Sequence, residues 1–61
     1  MNSFEDLIGL EISEAKKTLG HWYVLTLQDA SAHWWFFERA GVHKVRLVCD
    51  NNNIVEKYEI Y

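Results

Sequence analysis

The chain has 61 residues and a net charge of −3, with one cysteine and an aromatic content of 15%. A chain of this length makes a single domain, residues 1–61, that buries only about 60% of the surface its unfolded form exposes. The acidic balance argues against a nucleic-acid partner, the apolar runs are shorter than the ~20 residues that span a bilayer, and a lone Cys49 excludes an internal disulfide.

An amphipathic helix is the first predicted element. Ser3 and Asp6 have the spacing of a capping box, which indicates a short N-terminal turn. Apolar residues then recur at spacings of four, three and four, which is typical of one helix face. These residues are Ile8, Ile12, Ala15 and Leu19. We therefore predict a helix over residues 11–19 that ends at Gly20, since glycine is common just past a helix end.

The rest of the chain is rich in β-forming residues. The run Trp22–Gln28 is apolar on both parities, which predicts a central strand covered by the helix on one face. Asp29–Ala32 reads as a loop. Val45–Cys49 and Ile54–Ile60 should pair through a turn at Asp50–Asn53, because asparagine tolerates the positive φ of tight turns. The expected fold is α+β, one helix on a three- or four-stranded, mainly antiparallel sheet with a β-meander after the helix.

The aromatic stretch before these strands has two interpretations. As a hairpin with a two-residue turn at Ala40–Gly41, it places Phe36 opposite Val45. Alternate residues of a strand point the same way. The predicted core side of this hairpin consists of Trp34, Phe36, Val45, Leu47 and Cys49.

The same register predicts an exposed aromatic face on the other side of the sheet. Trp35 would lie opposite Arg46, with Phe37 beside it, and cross-strand pairs of an aromatic with a cation are typical of exposed positions. Aromatic residues and arginine are enriched in protein-binding hot spots. We therefore expect an interaction or self-association face formed by Trp35, Phe37 and Arg46. Extending the register places Arg46 opposite Lys57.

The second interpretation is an exposed loop, and it follows from a resemblance. Asp6-Leu7-Ile8-Gly9 with Glu14-Ala15-Lys16-Lys17 resembles the E-L-V-G…E-E-A-K-K opening of the potato inhibitor I family of serine-peptidase inhibitors. Val45-Arg46-Leu47-Val48, with Asp50 and Ile54, is similar to that family's V-R-L-F-V-D…N-I strand and turn.

This resemblance implies an extended binding loop before the Val45–Val48 strand. Phe37-Glu38 would stand at the scissile pair, with Phe37 entering the specificity pocket of a chymotrypsin-like or subtilisin-like enzyme. Arg39 and Arg46 would be the arginines that support the loop from behind. Phe36 stands where the family has a threonine, and Gly41 stands where a supporting arginine is expected.

The remaining reactive side chains predict no chemistry. The histidines and Cys49 lack the spacing of zinc ligands, so we expect no metal and no cofactor. A buried free cysteine behaves as an inert small hydrophobe, and we expect no enzymatic activity. Met1-Asn2-Ser3 lacks the start of a secretory signal, which favours a cytoplasmic location.

The predicted function is non-catalytic protein binding, with a protein partner, which the resemblance makes a serine peptidase, or a second copy of the chain. Neither a nucleic acid nor a membrane is an expected partner. The predicted binding residues are Trp35, Phe36, Phe37, Glu38, Arg39 and Arg46.

Overall fold

The structure is a computed structural model that describes residues 3–29 and 33–61. In these residues one α-helix is followed by a four-stranded antiparallel sheet. The elements are a 3-10 helix (Phe4–Leu7), α1 (Ile12–Leu19), β1 (Val24–Asp29), β2 (Trp34–Arg39), β3 (His43–Cys49) and β4 (Val55–Ile60). The strands lie in the sheet in chain order. The predicted α+β fold with a meander after the helix is confirmed.

The predicted capping box is present, and it caps the 3-10 helix. The Ser3 hydroxyl accepts a hydrogen bond from the Glu5 N–H at 3.2 Å. In return, the Ser3 N–H donates to the Asp6 carboxylate at 3.4 Å. Both bonds satisfy backbone groups that a helix start leaves without partners. Leu7, at the end of this turn, is fully buried and fixes the turn to the core.

Helix α1 begins within one residue of the predicted start and ends at the predicted residue. The Glu11 carboxylate accepts from the Ser13 N–H at 3.2 Å, and Gly20 closes the helix with a φ of 85°. Ala15 and Leu19 are buried, because their spacing of four places them on the face that packs on the sheet.

The hairpin between β2 and β3 has a three-residue loop. Arg39 pairs with His43, and the Val42 N–H donates to the Arg39 carbonyl at 3.0 Å. Gly41 has a φ of 76° at the turn position that needs a positive value. Phe37, not Phe36, therefore lies opposite Val45. The predicted two-residue turn and its register are wrong by one residue.

A shift of one residue in a strand pair moves every side chain to the opposite face. Trp35 and Phe37 are accordingly buried beneath the helix, with exposed fractions of 9% and 1%. Trp34 and Phe36, predicted to be core residues, lie on the other side of the sheet. The predicted burial of Val45, Leu47 and Cys49 is confirmed.

Strand β1 is an edge strand, whereas the sequence predicted a central one. It begins at Val24, after Trp22 and Tyr23, and it lies at the end of the strand order beside β2. Its side chains from Val24 to Gln28 are all exposed. The apolar residues on both faces of this strand, which predicted a central position, therefore lie in an uncovered edge strand. Asp29 belongs to the strand, and the rest of the predicted loop lies outside the described residues.

The predicted pairing of the last two strands and the turn between them are confirmed. Asp50 organises this turn, since its carboxylate accepts from the N–H groups of Asn52 at 2.8 Å and Ile54 at 3.0 Å. Asn53 adopts the positive φ, at 62°. Arg46 faces Glu59 across the strands, so the predicted opposition of Arg46 and Lys57 is wrong.

The core lies between the two helical segments and one side of the sheet. It includes the following buried side chains: Leu7, Ala15, Leu19, Trp35, Phe37, Val45, Leu47, Cys49 and Val55. Residues from both helical segments and from β2, β3 and β4 thus share one cluster. The opposite side of the sheet carries a second set of apolar side chains.

Candidate protein-binding face

The side of the sheet opposite the helices is the candidate site, and we refer to it as the open face. Its position follows from the register, because residues that alternate with the buried ones point away from the core. An antiparallel sheet with one uncovered face normally carries polar residues there. The open face instead includes these apolar and charged side chains: Val24, Leu27, Trp34, Phe36, Glu38, Lys44, Arg46, Val48, Lys57, Glu59 and Tyr61.

Arg46 lies at the centre of this face. The carbon of its guanidinium group is 5.8 Å from the ring centre of Trp34, 5.8 Å from that of Phe36 and 6.0 Å from that of Tyr61. A cation within about 6 Å of an aromatic face is attracted by the ring quadrupole. Arginine also stacks on rings, since its charged group is planar and weakly hydrated.

Glu59 fixes the orientation of the Arg46 side chain. Its Oε1 accepts a hydrogen bond from Arg46 Nε at 2.7 Å, and Arg46 Nη2 donates to the same oxygen. The hydrogen bond to Glu59 raises the pKa of Arg46 above its ordinary value, although partial burial acts in the opposite direction. The pair is formed across β3 and β4, because Arg46 and Glu59 are direct cross-strand neighbours.

The aromatic rings also contact one another. Trp34 and Phe36 meet edge to face, with ring centres 5.2 Å apart and planes at 85°. Phe36 and Tyr61 have ring centres 5.4 Å apart. Such arrangements contribute roughly 0.5–1.5 kcal/mol per pair beyond area burial. We call the five side chains Trp34, Phe36, Arg46, Glu59 and Tyr61 the arginine–aromatic cluster.

A shallow depression lies beside this cluster. It has a volume of about 520 Å³ and is lined by Thr26, Leu27, Phe36, Lys44 and Tyr61. The Thr26 hydroxyl donates a hydrogen bond to the Phe36 carbonyl at 3.3 Å, so this hydroxyl proton is already used within the sheet. Apolar walls with one cation at the rim are suited to an apolar side chain that has an acidic neighbour.

The structure divides the predicted binding residues between two sides of the sheet. Phe36 and Arg46 lie together on the open face, as part of the arginine–aromatic cluster. Trp35 and Phe37 are buried on the helix side, so the predicted exposed face of Trp35, Phe37 and Arg46 is wrong. The physical reason is the third residue in the hairpin loop, which exchanges the two faces of β2.

The last two predicted residues lie near the end of β2. Glu38 is paired with Val24 on one side and Lys44 on the other. Arg39 has its guanidinium 5.6 Å from the Trp22 ring centre. Because Phe37 and Glu38 are strand residues paired with neighbours on both sides, the predicted exposed loop at Phe37-Glu38 is wrong.

The sequence reading missed Trp34, Glu59 and Tyr61 as site residues. The alternation of side chains along the strands could have identified this face, because Trp34, Phe36 and Arg46 point to the same side when the hairpin loop has three residues. Tyr61 follows β4 directly and is held by paired backbone hydrogen bonds with Lys44, at 2.8 and 3.2 Å. Tyr61 as a whole is 58% exposed.

Among the reactive side chains outside this face, His43 has aromatic partners and Cys49 is buried. The His43 Nε2 is hydrogen-bonded to the Tyr23 hydroxyl at 2.8 Å, and Phe4 packs edge-on against the His43 ring. Burial raises the pKa of the Cys49 thiol to about 11, which keeps it protonated at neutral pH. In the described residues no group of three or more His, Cys, Asp or Glu side chains is placed to hold a metal ion.

Comparisons with protein-family models, with curated proteins and with solved structures give no match for this chain. Within the described ranges, no helix has the length and apolar character needed to cross a membrane.

Proposed function

We propose that this chain is a non-catalytic protein-binding module whose binding surface is the open face. One observation carries the proposal: an arginine surrounded by three aromatic rings and paired with an acid, on a sheet face that both helical segments leave uncovered. Tryptophan, tyrosine and arginine are the residues most enriched in binding hot spots. The arginine–aromatic cluster brings all three together.

The rigidity of the cluster supports this function. Binding loses free energy when flexible side chains become ordered at an interface, at roughly 0.5–1.5 kcal/mol for each such side chain. The long Arg46 side chain is already held by Glu59 and by the rings of Trp34 and Phe36. A partner that binds this face therefore contacts side chains that are already ordered, so less conformational entropy is lost on binding.

Charge supports a protein partner over a nucleic acid. The chain has a net charge of −3, whereas nucleic-acid binding draws most of its affinity from a basic surface that neutralises phosphates. The guanidinium of Arg46 is already paired with Glu59. The rim lysine of the depression, Lys44, is the group that would meet an acidic residue of the partner beside an apolar anchor.

A matched pair of variants tests the proposal. Tyr61 and Trp22 are aromatic residues of similar exposure, 58% and 63%, and Tyr61 belongs to the cluster whereas Trp22 does not. Proteins retained by the immobilised wild-type chain are purified, and their binding is titrated against both variants. We expect Tyr61→Ala to weaken binding about 30-fold, roughly the 2 kcal/mol typical of a hot-spot residue.

The Trp22→Ala variant should bind the same partner as the wild type does. Equal losses in the two variants would contradict a binding site on the open face, and so would the failure of every retained protein to bind the purified chain directly. Circular dichroism of both variants serves as the check that each is folded.

Inhibition of a serine peptidase stays a prediction that rests on the sequence resemblance. Phe37 is 1% exposed and lies in a central strand, so an inhibitory loop would have to be formed by other residues. Titration of chymotrypsin and subtilisin with the chain tests this function separately. The cytoplasmic location likewise stays a prediction.

A further inference from the structure

We infer that the free edge of β1 pairs with the β1 strand of a second copy of this chain, which forms a dimer with one continuous eight-stranded sheet. The inference concerns a different surface from the open face and does not depend on the function proposed above. We refer to this surface as the β1 edge. It consists of the outward side of Val24–Asp29 together with the preceding Trp22.

The β1 edge has the composition of a strand that is open to pairing. Among the described residues β1 pairs with β2 alone, so its outer backbone groups are available to another strand. Val24, Leu25 and Leu27 are 62%, 37% and 54% exposed, although two of them point to one side of the sheet and one to the other. The strand contains no lysine, arginine or proline, the residues that commonly protect a free edge.

The opposite edge of the sheet differs from the β1 edge in its charge, which favours a second copy of β1 over β4 as the pairing strand. Strand β4 carries Glu56, Lys57 and Glu59, so this outer strand has the charges that discourage pairing. Each chain thus has one edge strand that is open to pairing, β1, and one edge strand that is protected by charge, β4. When two β1 strands pair around a two-fold axis, neither copy has an open edge left, so the assembly is complete at two copies.

The two ends of the β1 edge differ in the charge of their residues. Two-fold pairing makes the strands antiparallel, so Asp29 at the end of one β1 lies beside the beginning of the other. At that beginning, the Arg39 guanidinium lies 5.6 Å from the Trp22 ring centre, and the His21 ring lies against Trp22 with ring centres 4.7 Å apart and planes tilted by 33°. In this register the position of an acidic residue and the cationic and aromatic pair fall at the same end of the shared sheet, and symmetry repeats this arrangement at the other end.

The dimer should be weak and reversible. Pairing of two six-residue strands buries much less than the roughly 800 Å² per partner of a standard interface, which is characteristic of transient association. The register shift between Leu25 and Leu27 also marks a bulge, and bulges limit pairing along an edge. We therefore expect association at high micromolar concentration and dissociation on dilution.

Sedimentation velocity from micromolar to millimolar concentration tests the inference with two matched variants. Leu25 and Ile60 are apolar residues on the helix side of opposite edge strands, because they lie opposite the buried Phe37 and Val45. The wild-type mass should rise from 7.2 kDa toward twice that value. L25K should weaken dimerisation about tenfold or more, since an edge lysine opposes strand pairing, whereas I60K should dimerise as the wild type does.

A measurement on the wild-type chain keeps the test independent of any folding defect in L25K. Amide hydrogen exchange in β1 should slow as the protein concentration rises, while exchange in β4 stays constant. A wild-type mass of 7.2 kDa at every concentration would overturn the inference, as would growth beyond two copies. Loss of dimerisation in I60K or Y61A as complete as in L25K would also overturn it, and the Y61A result separates this surface from the open face.

Discussion

Arg46 determines the character of the open face more than any other residue. It contacts rings on β2 and beyond the end of β4, and it is paired with an acid on β4. Without Arg46, the rings of Trp34 and Phe36 would form an exposed apolar patch of the kind that associates non-specifically. With the guanidinium between them and Glu59 beside it, the same surface presents a fixed ion pair and fixed ring planes, which suits the selective binding proposed above.

The two adjacent tryptophans of β2 should differ sharply in their effect on stability. Trp35 is buried in the core, so Trp35→Ala leaves a cavity and should reduce the free energy of unfolding by about 3–5 kcal/mol. Trp34 lies on the open face, and Trp34→Ala should cost less than about 1.5 kcal/mol, chiefly its contacts with Arg46 and Phe36. Urea denaturation measures both values. Equal losses would show that the faces are not as described.

Cys49 should make the fold sensitive to alkaline pH. Burial raises its pKa from an ordinary value near 9 to about 11. The unfolded chain therefore loses this proton first as the pH rises, so the stabilisation is fully present below about pH 9 and is lost toward about pH 11. Thermal unfolding of the wild type should fall more steeply over that window than unfolding of Cys49→Ala. Parallel pH profiles would contradict this assignment.

At the scale of the elements, the hairpin loop decides which side of β2 is the core. A side chain at Gly41 would meet no atom within 4 Å, so the effect of a substitution is confined to the backbone, where φ is 76°. Gly41→Ala should reduce the free energy of unfolding by about 1–2 kcal/mol. Gly41→Asn should lose less, because asparagine tolerates a positive φ. Chemical denaturation compares them, and equal stability of all three chains would contradict the described turn.

The elements and the meander after the helix could be predicted from local patterns, but the register of β2 and the position of β1 in the sheet could not. The helix face of Ala15 and Leu19 and the turn at Asp50–Asn53 follow from spacing and residue type, and both are present. The length of the loop around Gly41 depends on one residue, and that residue exchanges the faces of β2. Whether β1 is central or at an edge depends on the pairing of distant strands, which the apolar run alone does not encode.

At the scale of the whole molecule, charge is distributed unevenly. Lys44, Arg46 and Lys57 are half of the six Lys and Arg residues, and they share the open face. Among the eight acidic residues whose side chains the structure describes, Glu38 and Glu59 lie on the open face and six lie elsewhere: Glu5, Asp6, Glu11, Glu14, Asp50 and Glu56. Like charges repel between copies of the helix side, which is consistent with the open face and the β1 edge as the proposed surfaces of association. The sequence could predict an exposed aromatic face, but only the fold shows that exposed apolar side chains lie both on the open face and along β1.

The three tryptophans lie in three different surroundings. Trp35 is in the core, Trp34 is beside Arg46 on the open face, and Trp22 is at the start of the β1 edge, next to His21 and Arg39. Chains that keep one indole each, with phenylalanine at the other two positions, would give separate optical signals for unfolding, for partner binding and for self-association. The molecule thus carries its own fluorescent probes, one for each of the events inferred from its structure.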